Sequence, residues 1–267
     1  MDSREQHVFK PEELRAGLRS HLRRAARGNQ EAFKTLSEPY VYLLVEFLAA
    51  RGFEDEQERL NKATELLRET WKFLPLFHRV ADLERFLATS LFSVQRQERT
   101  GGDPLLRKLH DLDPRQTFAL TARDFENWDY RNVAAALRVS RRELSEILVT
   151  TRCHLLDLDL NRLDVIAAAC VRRLSLDLDG QTGAREKRRI CRQVTTLPQV
   201  REFKSEWLEL RCRLIEFRQQ VRMEEEERAA LLQTLAGRLE PAQMIQVPML
   251  ERFVNRLSMR PSFVPAP

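Results

Sequence analysis

Residues 130–148 read YRNVAAALRVSRRELSEIL and carry the strongest folding signal in the chain. Apolar residues recur at three- and four-residue steps on both sides of Arg138, which predicts two helices joined by a turn. Ser140 precedes the second helix and Glu143 follows three positions later, the pattern of a capping box. Ala134 supplies the small residue that two crossing helices need. The apolar residues expected to hold the pair together are Val133, Leu137, Val139, Leu144 and Ile147.

The spacing of this segment is typical of a helix-turn-helix, the motif whose second helix reads the major groove of DNA. Arg138 stands in the turn, where such motifs usually carry Gly. An ordinary pair of helices with a capped second member has the same pattern. The segment alone therefore leaves both interpretations open.

The composition of the whole chain agrees with a folded, helical protein. Of its 267 residues, 43% are hydrophobic, which supplies one or two packed cores and excludes disorder along the whole length. With only 8 Gly and 11 Pro, collagen-like and turn-rich β architectures are disfavoured. The formal net charge of +5 permits contact with nucleic acid without requiring it.

Segments for membranes, secretion and metals are not expected. No stretch approaches the roughly 18 apolar residues of a membrane-spanning helix. Residues 1–7 are polar and lack the apolar core of a secretory signal. The cysteines are widely spaced with no C-x-x-C pair, so we expect buried, reduced thiols in a cytoplasmic protein, with no metal and no cofactor. These cysteines are Cys153, Cys170, Cys191 and Cys212.

Apolar periodicity predicts an all-α fold in three units, at residues 12–98, 105–158 and 161–260. The clearest boundary is residues 99–104, where Gly-Gly is followed by Asp-Pro. The first two units are expected to be small helical bundles and the third a helical extension. The helices expected in the first unit cover about residues 11–27, 30–51, 54–73 and 82–97.

The third unit is expected to contain one long charged helix over about residues 200–235. The acidic run at residues 224–227 within it is expected to face solvent. One face of the helix is apolar, and such a face is more often part of a core than a partner surface. Its members are Phe203, Trp207, Leu210, Leu214 and Phe217.

Catalysis is not predicted, because the histidines have no nucleophile or carboxylate partner at motif spacing. These histidines are His7, His21, His78, His110 and His154.

The order of several short motifs resembles that of bacterial extracytoplasmic-function sigma factors, the small specificity subunits of RNA polymerase. Residues 25–33 resemble the start of that family's first core helix, and residues 65–77 resemble its polymerase-binding helix and the loop after it. Residues 112–116 resemble the start of the second conserved domain, and the helix-turn-helix follows at the expected distance. The resemblance covers about residues 12–157.

The resemblance implies that the first unit is similar to sigma domain two, which binds core RNA polymerase and melts the promoter. Polymerase binding would rest on Asn61, Glu65 and Arg68. Promoter melting would rest on Phe86 and on Ser93, the position where the family usually carries an Asn.

The second unit is similar to sigma domain four, whose helix-turn-helix reads promoter DNA. The family usually carries several basic residues in the middle of the second helix, and here a carboxylate stands there, which opposes phosphate binding. The residues that the resemblance assigns to DNA are Arg141, Arg142, Ser145, Glu146 and Arg152.

Two functions follow as hypotheses. The first is a sigma-like transcription initiation protein, whose partners are core RNA polymerase and promoter DNA. A further partner would be an anti-sigma-like regulator or the chain's own C-terminal region. The alternative is a degenerate sigma-like module that binds polymerase or another regulator with little promoter recognition. The alternative is favoured by the short linker, since about 10 residues span at most about 35 Å. Promoter elements 17 base pairs apart are separated by about 60 Å.

Overall fold

The structure is a computed structural model that describes residues 11–97 and 103–245. Side chains are described from residue 17 onward, except that of residue 199. Within these ranges the chain is helical and has no β-strand, which confirms the all-α class. No helix there has the length and apolar character needed to cross a membrane. The α-helices are α1 (Pro11–Ala25), α2 (Gln30–Ala50), α3 (Glu56–Phe73), α4 (Val80–Phe92), α5 (Pro104–Asp111), α6 (Pro114–Leu120), α7 (Tyr130–Leu137), α8 (Arg141–Leu155), α9 (Val165–Leu178), α10 (Ala184–Thr196), α11 (Pro198–Val221) and α12 (Glu225–Gly237).

Helix α2 lies at the centre of the fold. Every residue from Tyr40 to Ala50 is buried, and α1, α3 and α12 pack around the helix. The break before it is at Gly28, whose φ of +88° favours glycine. The side chain of Asn29 then accepts a hydrogen bond from the Ala32 N–H at 2.7 Å and caps the helix. A helix that is apolar on all sides is stable only inside a core, which is where α2 lies.

The three predicted units are not separate, and the two-bundle arrangement is not confirmed. One core cluster contains Trp71 and Leu91 from the first unit, Phe118 and Leu144 from the second, and Leu235 from the third. Helix α4 packs against α7 across the predicted boundary. Residues 98–102 of that boundary and residues 246–260 of the third unit lie outside the described residues.

Aromatic side chains form the junction between the first two units. The rings of Phe92 and Phe118 meet edge to face with centroids 6.1 Å apart. Trp128 contacts Phe118 at 6.0 Å and Tyr40 at 5.8 Å. Such pairs add stability beyond the area that they bury. The apolar faces of α2, α4 and α6 therefore bury one another instead of closing two independent bundles.

The predicted long helix at residues 200–235 is wrong, because the chain forms two helices there. Arg222 is extended at φ −78° and ψ 127°, and its guanidinium lies 3.7 Å from the ring centroid of Tyr42. Met223 is buried, and Glu224 donates its backbone N–H to the Glu227 carboxylate at 3.0 Å. Residues 224–227 are exposed as expected, but they begin α12 instead of lying within a longer helix. This turn lets α12 fold back onto α2.

The predicted end of α4 at residue 97 is also wrong. The helix ends at Phe92, and the N–H groups of Ser93 and Val94 bond to the carbonyls of Ser90 and Leu91 in a tightened last turn. Its start at Val80 is fixed by Asp82, whose carboxylate accepts the Arg79 N–H at 3.0 Å.

Hydrogen bonds connect the end of α2 to α5 and to the residue that follows it. Arg51 donates from Nη1 to the carbonyl of Leu112 at 2.9 Å, and its own carbonyl accepts from His110 Nε2 at 3.0 Å. Gly52 lies directly under the imidazole with φ +95°, and a Cβ there would come within 1.8 Å of Nε2.

A buried carboxyl group also joins α2 to the extension. Glu46 is fully buried and shares Arg218 with Glu126, at 3.0 Å and 2.6 Å respectively. Burial, together with the charge of Glu126, raises the pKa of Glu46 to about 8.

Gly52→Ala should lower the free energy of unfolding by about 2–4 kcal/mol, since the new methyl group displaces His110 and takes a left-handed backbone conformation. Gly17→Ala is the control, because a Cβ at that exposed position in α1 meets nothing within 4 Å. That control should leave stability unchanged or raise it by up to about 1 kcal/mol. Urea unfolding measures both, and equal stabilities for the two variants would contradict the packing described for Gly52.

Glu46→Gln should change how stability depends on pH. Between pH 4.5 and about 8 folded Glu46 holds a proton that the unfolded chain releases, so its contribution weakens as pH rises. Relative to Glu46→Gln, the native chain should lose up to about 1.4 kcal/mol per pH unit across that window. Urea unfolding at pH 5, 6.5 and 8 tests this, with exposed Glu31→Gln as control. Parallel pH profiles for native chain and Glu46→Gln would contradict a raised pKa.

Candidate functional site

The helix-turn-helix predicted at residues 130–148 is formed by α7 and α8. Arg138 takes the left-handed conformation of the turn, with φ 56° and ψ 41°. The capping box is also present: Ser140 Oγ accepts from the Glu143 N–H at 3.1 Å, and the Glu143 carboxylate accepts from the Ser140 N–H at 2.7 Å. Ala134 is buried at the helix crossing. The local geometry expected from the sequence is therefore confirmed.

The exposed face of α8 carries two carboxylates beside two arginines, where a DNA-reading helix is usually basic. Arg141 and Arg142 are exposed at its first turn, and Ser145 is half-buried. Glu146 is exposed and pairs with Arg172 of α9 at 3.2 Å. Hydrogen bonding from the Ser140 backbone lowers the pKa of Glu143, which keeps that carboxylate ionised at neutral pH. Two carboxylates therefore line the surface that DNA phosphates would approach.

The prediction that Arg152 contacts DNA is wrong, because its side chain is only 1% exposed. Its Nη1 donates to Asp179 at 3.0 Å and its Nη2 donates to Asp124 at 2.8 Å. Ser175 accepts from Nη1 at 2.6 Å, and the guanidinium lies 4.7 Å from the ring centroid of Trp207. Both terminal nitrogens of the guanidinium are thus bonded inside the protein, whereas its Nε is buried without a hydrogen-bond partner.

Charge pairing keeps Arg152 protonated in this interior site. Burial lowers its pKa, but the carboxylates of Asp124 and Asp179 outweigh that effect and raise the pKa above its usual value. The five groups of this network come from the π-helical turn Thr121–Phe125, from α8, from the end of α9 and from α11. No sequence pattern predicts this network, because its members are far apart along the chain.

The cysteines only partly match the expectation. Cys153 and Cys170 are buried, and burial raises the pKa of Cys153 to about 12, so its thiol stays protonated. Cys191 and Cys212 are exposed on α10 and α11, which corrects the prediction that all four are buried. Within the described ranges, no group of three or more His, Cys, Asp or Glu residues could hold a metal ion.

Helix α3 presents an open polar face. Asn61, Glu65 and Arg68, the residues assigned to polymerase binding, are all exposed and follow one another at helical spacing. Glu65 pairs with Lys62 at 2.8 Å, and Asn61 accepts from Gln57 at 3.1 Å. The opposite face is buried in the main core through Ala63, Leu66, Leu67, Thr70 and Trp71.

The two residues assigned to promoter melting lie in a groove of 680 Å³ between α3 and the end of α4. Phe86 packs against Phe73 and Phe77 with ring centroids 5.1 Å and 5.3 Å away. Ser93 is exposed at the rim and donates its hydroxyl to the carbonyl of Thr89 at 3.2 Å. The structure brings these residues close to α3, whereas the residues assigned to DNA lie on α8.

A basic surface on α10 was missed by the motif-based analysis. Its residues 185–192 read REKRRICR, which places five cations beside one carboxylate. All of the cations are exposed. Local charge density, counted without reference to any motif, is the signal that would have found this surface.

Comparisons of the chain with protein-family models, curated proteins and solved structures found no match.

Replacing Arg152 should destabilise the protein strongly, because two buried carboxylates would lose their partner. Arg152→Met keeps much of the side-chain volume and should lower the free energy of unfolding by about 3–5 kcal/mol. Arg142→Met, an exposed site on the same helix, should stay within about 0.5 kcal/mol of the native chain. Chemical denaturation measures both, and a loss at position 152 no larger than that at 142 would contradict the network.

Proposed function

We propose that this chain is a sigma-like protein-interaction module that binds core RNA polymerase through the exposed face of α3 and does not read promoter sequence through α8. One observation carries the proposal: α4 packs against α7, so the two sigma-like units share a core while the polar face of α3 stays open. The module keeps a surface for the transcription machinery and lacks the freedom to span a promoter.

The shared core argues against promoter reading at two sites. Contacts with two promoter elements would require the units to reach across about 60 Å of duplex. Separating them would break the ring contacts Phe92–Phe118 and Tyr40–Trp128, which cross the junction. Exposing large aromatic side chains costs several kcal/mol at about 25 cal/mol per Å².

The charges on α8 also argue against promoter reading. Phosphate contacts supply most of the affinity of proteins for DNA, and they need free cations. Glu143 and Glu146 occupy the exposed face of α8, and Arg152 is held inside by Asp124 and Asp179.

As far as residue 245, the C-terminal extension leaves the α3 face open. Its residues 239–245 pack beside α3, where Trp71 Nε1 donates to the Glu240 carbonyl at 3.0 Å and the Ile245 N–H donates to the Lys72 carbonyl at 2.9 Å. These contacts lie at the end of α3, whereas Asn61 and Glu65 lie nearer its start and remain exposed.

A second candidate function is a sigma factor that does read DNA. It is favoured by the capped start of α8, which presents Arg141 and Arg142 to solvent at a helix N-terminus. From that position arginine side chains can reach base edges or phosphates.

Affinity capture with purified bacterial core RNA polymerase tests the first proposal. The tagged full chain should retain polymerase, and Asn61→Arg with Glu65→Arg should weaken capture at least tenfold, since two central contacts are lost. Asn161→Arg with Glu209→Arg makes the same substitutions at exposed sites on other elements and should bind like the native chain. Absence of capture, or equal capture by both variants, would refute the proposal.

Selection from random-sequence DNA duplexes by the polymerase complex separates the two candidates. The interaction module should enrich no sequence motif beyond what core polymerase enriches alone. An enriched motif that disappears with Arg141→Ala and Arg142→Ala would establish the second candidate instead, because specific sites bind at least about 10³-fold more tightly than other DNA.

A further inference from the structure

Helix α10 has two sides of opposite character. Its apolar side is already used: Ile190 is 3% exposed and Val194 packs into the same cluster, against α9 and α11. Its other side borders an open cleft in which four arginines lie together. The side chains that line this cleft include Arg185, Arg188, Arg189, Arg192, Gln193 and Thr196.

The positive charge of this side is not neutralised within the described chain. The single acidic residue of α10, Glu186, pairs with Arg173 of α9 at 3.8 Å. Among residues 17–97 and 103–245, no carboxylate lies within ion-pair distance of the four cleft arginines. Holding several like charges together on one helix is unfavourable unless an external anion compensates them.

The chemistry of the cleft distinguishes among possible partners. An amphipathic helix that binds a membrane needs a free apolar face, and that of α10 is packed in the core. The centre of a protein interface is usually aromatic or apolar. Besides the carboxylate of Glu186, which pairs with Arg173, this cleft offers guanidinium, amide and hydroxyl groups. These groups match the oxygen acceptors of phosphate, which arginine binds in a bidentate manner.

The arrangement suits a regular row of phosphates. Arg185 and Arg192 are separated by about 10 Å along the helix, at about 1.5 Å per residue. That length covers about three steps of one strand of duplex DNA at about 3.4 Å per step. Single strands are held mainly by stacking on aromatic side chains, and the residues lining this cleft include no aromatic group.

We propose that the cleft face of α10 binds the phosphate backbone of double-stranded DNA without reading its sequence. This activity goes beyond the proposed function and does not depend on α3. It would hold a polymerase-bound module near the template while α8 contributes no base recognition.

Fluorescence anisotropy with the full chain and a labelled 20-base-pair duplex tests the proposal. Two unrelated sequences should bind with affinities that agree within about threefold, in the micromolar range of non-specific complexes. If four phosphates are neutralised, raising the salt from 50 to 200 mM should weaken binding about 100-fold. Binding that is insensitive to salt, or confined to one of the two sequences, would overturn the proposal.

Charge reversal locates the binding surface. Arg188→Glu with Arg189→Glu should weaken binding at least tenfold and reduce the salt slope by about 2. Arg107→Glu with Arg238→Glu makes the same charge change at exposed positions on α5 and after α12, and should lose less than threefold. Equal losses for the two variants would overturn the proposal.

A milder variant shows whether weaker binding results from lost charge or from unfolding. Arg185→Gln with Arg192→Gln removes two charges without reversing them and should weaken binding by a smaller factor, with an unchanged melting temperature. Both α10 variants should still capture core polymerase, so a failure of DNA binding is distinguishable from a failure of the α3 proposal. Unchanged DNA affinity in this variant would contradict a role for the arginine row.

Discussion

The buried guanidinium of Arg152 is the constraint on which the arrangement of the helices depends. A buried charge is tolerated only when opposite charges and hydrogen bonds compensate for lost water. Here that compensation comes from Asp124 in the π-helical turn, from Ser175 and Asp179 in and just after α9, and from Trp207 in α11. Helix α8 is therefore fixed to the extension through Arg152.

Because of this constraint, the local geometry of α7 and α8 does not by itself indicate that the pair reads DNA. The turn at Arg138 and the capping box at Ser140 have the local geometry that the sequence predicts for two helices joined by a turn. The surface chemistry of α8 differs from that of a DNA-reading helix, because Glu146 pairs with Arg172 of α9 and faces outward. Helix α3 has an open polar face, and five exposed cations lie on α10. The division of roles proposed above follows from where charges are exposed and not from the presence of the motif.

The sequence predicted local features well and the arrangement of the units poorly. Periodicity predicted most helices, and the break at Gly28 and the cap at Ser140 were correct because each depends on neighbouring residues. The shared core, the burial of Arg152 and the turn at Met223 depend on contacts between residues far apart in the chain, which periodicity does not encode. For the candidate site, the residues that the resemblance assigns to polymerase binding lie on an open face of α3, whereas no sequence motif assigned a role to the arginines of α10.

Hydrogen–deuterium exchange of the full chain, with and without core RNA polymerase, tests the central claim most directly, because it shows which helix becomes covered. With polymerase bound, we expect slower exchange of the backbone amides of residues 56–73 and no change across residues 141–155. Protection of residues 141–155 with residues 56–73 unaffected would contradict it.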